Sequence, residues 1–127
     1  MVTAKKQIFI VDDDESVCRA LSILLGTYGF NVDTFTSGES FLSVVPDIAG
    51  GCLILDIHMP GTDGWETLRR LPAIWHRNSV IIISADKNGG LKSNVLGAGA
   101  VGFLQKPFND QELIDLINIA FGKKEKV

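Results

Sequence analysis

Short apolar runs alternate along the chain with longer stretches of helical period. Ile8-Phe9-Ile10-Val11, Cys52-Leu53-Ile54-Leu55 and Val80-Ile81-Ile82-Ile83 contain no interleaved polar residues. Runs of this kind predict strands buried on both faces, as in a parallel sheet covered by helices. Val101 to Leu104, with Gly102 inside, reads the same way. Asn31 to Phe35 mixes Val32, Thr34 and Phe35 with polar residues, which predicts a sheet edge. Between these runs the period lengthens. Val17, Leu21, Leu24 and Tyr28 fall at i, i+4, i+7 and i+11 and predict one helical stripe, with Leu25 flanking it and Gly29 as the stop. Thr36 with Glu39 predicts a capping box for a short helix ending near Pro46. Trp65 to Leu71 forms a third helix, broken or bent near Pro72. Gly89 to Gly97 is a weak fourth, because a glycine in a helix interior costs about 1 kcal/mol relative to alanine. Asn109 with Glu112 caps a fifth helix, whose inner face is Leu113, Leu116, Ile117 and Ala120, flanked by Ile114 and Ile119.

Five strands alternating with five helices predict an α/β fold, a doubly wound parallel sheet with helices on both faces. Right-handed crossovers leave few topologies. Ligands of such sheets sit beyond the carboxyl ends of the strands, where the strand order reverses.

Composition narrows the function classes. The 127 residues carry a net charge of −3, with 46% hydrophobic and 21% charged residues. That length suits a single domain over residues 1–127, and the composition excludes disorder and a disulfide framework. Mild acidity argues against direct nucleic-acid binding, which needs a basic patch. No apolar run approaches the roughly 20 residues of a membrane span. Met1 to Gln7 is polar and unlike a signal peptide, so the expected location is cytoplasmic. Cys18 and Cys52 stand apart, with no CxxC, and are expected to be reduced, buried thiols.

Candidate chemistry gathers at the strand ends. The first strand runs into Asp12-Asp13-Asp14-Glu15, and the third into Asp56. In a sheet of order 2-1-3-4-5 these ends are neighbours, and Asp12, Asp13 and Asp56 share a pocket. Two unit charges 4 Å apart repel by about 4 kcal/mol at an effective dielectric of about 20. Such a cluster either retains protons or holds a hard divalent cation such as magnesium. Asp14 and Glu15 have an alternative use, as acids capping the first helix. Asp56 does not, since a Pro-Gly turn follows it. Ser84 ends the fourth strand and Lys106 follows the fifth. Acids, a cation, a hydroxyl and an ammonium suit phosphoryl transfer to a carboxylate, with Asp56 as nucleophile, Ser84 donating a hydrogen bond and Lys106 offsetting oxygen charge.

This constellation resembles the receiver domain of two-component response regulators. The resemblance covers about residues 6–122. It is carried by Ile10-Val11-Asp12-Asp13-Asp14, Leu55-Asp56-Ile57-His58-Met59-Pro60-Gly61-Thr62-Asp63-Gly64, Ile83-Ser84-Ala85 and Gly97-Ala98-Gly99-Ala100-Val101-Gly102-Phe103-Leu104-Gln105-Lys106-Pro107-Phe108. It implies a flavodoxin-like sheet of order 2-1-3-4-5 with five helices. It implies Asp56 as phosphoacceptor, Asp13 and Asp56 as direct Mg2+ ligands (Mn2+ as a substitute), Asp12 as a ligand through water and the His58 backbone carbonyl as a further ligand. Lys106 would pair with phosphoryl oxygens and precede a cis Pro107, and Ser84 with Phe103 would form the switch. The implied partners are a sensor histidine kinase and, through the helix 4–strand 5–helix 5 face, an output domain or a second copy. His58 and Asp86, at the pocket mouth, are expected to tune water attack on the acyl phosphate. The chain is most similar to receivers attached to helix-turn-helix transcription regulators of the nitrogen-fixation type. It reads as an excised domain or a stand-alone regulator that assists only its own phosphorylation and dephosphorylation. Two alternatives stand beside this reading: an Asp-nucleophile phosphohydrolase, and a non-phosphorylated interaction module of the same fold. His58, two residues after Asp56, departs from the Asp-x-Asp pair of haloacid-dehalogenase-like phosphatases.

Overall fold

The computed structural model describes residues 6–45, 51–58, 63–72, 75, 79–85 and 94–125, with residues 123–125 by backbone only. In chain order the elements are β1 (Gln7–Val11), α1 (Glu15–Thr27), β2 (Asn31–Phe35), α2 (Gly38–Leu42), β3 (Cys52–Asp56), α3 (Gly64–Arg69), β4 (Val80–Ser84), α4 (residues 94–97), β5 (Gly102–Gln105) and α5 (Asp110–Glu125). The sheet has the order β2-β1-β3-β4-β5, and all pairings are parallel. Every residue of β3 and β4 is buried, whereas β2, at the edge, is mostly exposed. The patterns of β1, β3 and β4 and of β2 therefore translate into central and edge positions as expected, whereas β5, expected from its apolar run to be buried on both faces, forms the other edge, with Phe103 half-buried and Gln105 exposed.

Strand periodicity divides the core in two. Ile8, Ile10, Cys52, Ile54, Ile81 and Ile83 face α1 and α5, where they meet Leu21, Leu25, Leu113 and Ile117. Phe9, Val11, Leu53, Leu55, Val80 and Ile82 face the other way, toward Phe41, Leu68, Trp75 and Val95. Full burial of one such aliphatic side chain contributes about 1.5–3 kcal/mol. On the second face Phe9, Phe35, Phe41 and Trp75 pack edge to face or tilted, with centroids 5.3 to 6.4 Å apart. Cys18 and Cys52 are buried and not disulfide-bonded. Among the described residues no helix is long and apolar enough to cross a membrane.

Some element details differ from the sequence expectation. The inner face of α1 is Cys18, Leu21 and Leu25, while Tyr28 is 51% exposed. Tyr28 lies past the helix end, so the i+11 extrapolation does not reach it. Gly29 (φ +89°) takes the left-handed turn, and Phe30 N–H donates to the Leu25 carbonyl, closing the helix. Ser37 caps α2, accepting from Ser40 N–H at 3.1 Å, where Thr36 had been expected. Ser and Thr are near-equal caps, and adjacent candidates are not separated by spacing alone. Asp63 caps α3, which ends at Arg69, short of Pro72. The α5 box forms as expected: Glu112 N–H donates to Asn109 Oδ1 at 2.8 Å, and Asn109 N–H to Glu112 Oε1 at 3.2 Å. Ile114 is buried on the α5 core side, and Ile119 is exposed. Pro46, Gly89 and Gly90 lie outside the described residues.

Candidate functional site

The parallel register carries β1 and β3 to the same edge, with Val11 beside Leu55. The next residues are Asp12 and Asp56. Asp12 N–H still donates to the Phe35 carbonyl at 3.0 Å, so the chain is held in sheet-like position up to the acid. Asp12 and Asp56 are buried polar residues, and Asp13 is exposed. One carboxylate oxygen from each of the three lies within 4.8 Å of the others. Asp14 is turned away, accepting from Ser16 N–H at 2.9 Å as the α1 cap. Of the acids at the end of β1, the structure thus brings Asp12 and Asp13 to Asp56 and gives Asp14 to the helix.

Lys106 enters from the end of β5. Its Nζ lies 2.8 Å from Asp12 Oδ2 and 3.5 Å from Asp56 Oδ2. Its backbone N–H donates to the Ser84 carbonyl at 2.7 Å, tying the β5 tip to β4, and the Lys106–Pro107 bond is cis, as the resemblance implied. Sequence reasoning placed Lys106 beside Asp56, but its shorter contact is with Asp12. Strand-end positions locate a side chain at an edge without saying which of two nearby carboxylates it meets. Ser84 ends β4 fully buried, one residue past the Ile83–Asp56 pairing. Phe103 is half-buried on β5, packed against the second core. His58 is exposed, and its backbone N–H donates to Asp56 Oδ1 at 3.1 Å. Asp86 lies outside the described residues. Cys18, which the sequence marks only as a buried thiol, also meets the site: its Sγ–H donates to the Asp12 carbonyl at 3.3 Å. Its place one turn into α1 was the only signal for that contact.

Charge explains the titration behaviour. Burial pushes the Asp56 carboxyl above the usual aspartate range, the neighbouring Asp12 charge adds to this, and the His58 N–H and the Lys106 ammonium oppose it. Burial alone would lower Lys106, but the hydrogen bond and charge of Asp12, with Asp56 behind, outweigh it and raise the ammonium pKa. Fully ionised, three carboxylates against one ammonium leave two negative charges in excess. The donor set is all oxygen, clustered and anionic, which fits a hard dication with retained water. Next to it stands a carboxylate, Asp56, with one oxygen held by a backbone N–H and the other facing an ammonium. Such a site can neutralise a phosphoryl group beside a carboxylate nucleophile.

Comparison with known proteins points the same way. The family model for the response regulator receiver domain matches residues 8–118. The transcriptional regulatory protein FixJ of Bradyrhizobium diazoefficiens is 35% identical over 124 residues, covering 98% of this chain and 60% of that protein. The response regulator protein TodT of Pseudomonas putida is 39% identical over 113 residues, covering 89% of this chain and 50% of that protein. The chain thus spans about half to three-fifths of these curated relatives. Among solved structures, FixJ-N superposes with a TM-score of 0.80 at 32% identity over 98% of both chains. A response regulator receiver protein from Burkholderia phymatum gives 0.79 at 40% identity over 93% of this chain and 96% of that one.

Proposed function

The chain belongs to the response regulator receiver family, and on that premise we propose that Asp56 is the phosphoacceptor of a signalling switch charged by a sensor histidine kinase. In the transfer, an Asp56 carboxylate oxygen attacks phosphorus. The O–P bond of an acyl phosphate forms, the P–N bond of the donor phosphohistidine breaks, and the leaving imidazole keeps the electron pair. Asp13 and Asp56, the His58 carbonyl and, through water, Asp12 would hold Mg2+, with Mn2+ as a substitute; the ion supplies charge neutralisation at the phosphoryl oxygens. Asp56 has to be ionised to attack. The His58 N–H and the Lys106 ammonium favour that anion against burial. Lys106 moves from Asp12 toward the incoming phosphoryl oxygens, and Ser84 donates its hydroxyl to one of them.

The same event drives the readout. As Ser84 shifts toward the phosphoryl group it vacates space that Phe103 fills by turning inward, and the α4–β5–α5 surface changes for an output domain or a second copy. Phe103 is half-buried opposite Ile82, two residues before fully buried Ser84 on the neighbouring strand, which supports this pairing. We read residues 1–127 as one receiver domain, located in the cytoplasm, that assists only its own phosphorylation and dephosphorylation. The observation that carries the reading is the approach of the Asp12, Asp13 and Asp56 oxygens to within 4.8 Å, with Lys106 reaching two of the three acids. Magnesium titration by calorimetry tests it: the wild-type chain binds the ion weakly, and Asp56→Asn loses that binding. Unchanged binding by the variant would remove Asp56 from the site.

A further inference from the structure

Gly64, the first residue of α3, lies against the chain just after β3. Gly64 is buried, and its N–H donates to the Ile57 carbonyl at 3.1 Å. A Cβ built on Gly64 would lie 2.4 Å from Ile57 Cα and 2.6 Å from the Asp56 carbonyl oxygen. Both are backbone atoms, so they cannot swing away as a side-chain tip can. The contact contrasts with Gly102, whose Cβ would press most closely on the flexible Leu116 side chain, and with Gly26, which has open space. The peptide pressed by Gly64 also sits at a fixed point. Ile57 N–H donates to the Ile83 carbonyl at 3.1 Å, and His58 N–H to Asp56 Oδ1 at 3.1 Å. At the other end Asp63 caps α3, accepting from Glu66 N–H at 2.9 Å. Asp56, its carboxylate and the His58 peptide are thus fixed from the sheet side, and α3 closes on them from the other through a residue with no side chain.

We propose that Gly64 is a positioning residue for the phosphoacceptor. Its missing Cβ lets the first turn of α3 seat against the Asp56–Ile57 peptide, and that seating sets the Asp56 carboxylate and the His58 carbonyl for the cation. The inference rests on the site assignment above and adds a residue that touches neither cation nor phosphoryl group. Adding a methyl at Gly64 displaces the Asp56–Ile57 peptide, and with it the short segment from Asp56 to His58 that carries two of the ligands. Displacement of groups that orient ligands weakens metal affinity by about 10- to 100-fold.

Calorimetric titration with magnesium chloride, at a temperature where each variant is fully folded by circular dichroism, provides the test. Gly64→Ala should bind at least about tenfold more weakly than wild type, while Gly26→Ala matches wild type. Leu25→Ala, destabilised in the opposite core, should also keep wild-type affinity, which separates positioning from general loss of stability. Equal affinity in Gly64→Ala and wild type would overturn the proposal, as would an equal loss in Leu25→Ala. If Gly64→Ala does not fold, wild-type hydrogen exchange decides. Coupling is reciprocal, so saturating magnesium should slow exchange of the Gly64 amide about tenfold relative to that of Ile82. An unchanged ratio would refute the coupling. Failure of wild type to bind magnesium at all would instead sink the site assignment.

Discussion

The two halves of the carboxyl edge of the sheet are built differently. At the tips of β1 and β3, buried Asp12 and Asp56 are held by backbone N–H groups, by Lys106 and by a glycine pressed on the peptide. Toward β5, Phe103 is half-buried and Leu96 of α4 is 41% exposed. The first half has its charges held by specific partners. The second has apolar surface still available for rearrangement. A switch needs this asymmetry: the chemical site must be preorganised, because transfer depends on position, and the readout must have two packings of similar free energy.

The largest effect should come from the rigid half. Lys106→Ala removes the ammonium that reaches Asp12 and Asp56, and should slow phosphorylation by a small-molecule donor by about 100-fold. The same variant should bind magnesium several-fold more tightly, because the ammonium and the dication compete for the same carboxylates. Unaltered magnesium affinity would show that Lys106 does not share their charge. From the loose half, Phe103→Ala should leave phosphorylation within about threefold of wild type and cost about 2 kcal/mol or less of stability, given its half-burial. Its main loss should be the phosphorylation-dependent change at the α4–β5–α5 face, read by NMR shifts in α4 and α5 with and without phosphorylation. A tenfold fall in phosphorylation would merge the two halves into one.

The pH dependence of stability sharpens the contrast further. Asp56 holds its proton more readily in the folded chain than in the unfolded one, so over that window the folded state binds more protons. In the metal-free protein, Asp56 therefore contributes stability below the ordinary aspartate range. That contribution is lost as pH rises through its raised value. Asp56→Asn should remove this dependence and stabilise the metal-free chain near neutral pH by about 1 kcal/mol, a shift of a few degrees in melting midpoint. A Phe103→Ala chain should keep the wild-type pH profile.

Much of this asymmetry was visible in the order of residues. Ile54 and Ile82 sit in runs with no polar interruption, and such runs have only one stable environment, a strand covered on both sides. Acids directly after such runs have to emerge at a strand tip, as Asp12 and Asp56 do. What the residues did not disclose depends on side-chain direction. The Lys106–Asp12 contact joins β5 to β1, strands that are not neighbours in the sheet. Cys18, rather than Val17, proved to be the inward residue of α1, a rotation of one position that an apolar stripe with Leu24 and Leu25 both present leaves undetermined. The closeness of Gly64 to the Asp56 carbonyl oxygen could not be read either. A glycine in a turn is compatible with many geometries, and only the fold shows which backbone approaches it.

The most direct test is intact-mass analysis after incubation with acetyl phosphate. With magnesium present, the wild-type chain should gain a single phosphoryl group, and it should gain none in EDTA or when Asp56 is replaced by Asn. Equal labelling of Asp56→Asn, or of metal-stripped wild type, would contradict the account.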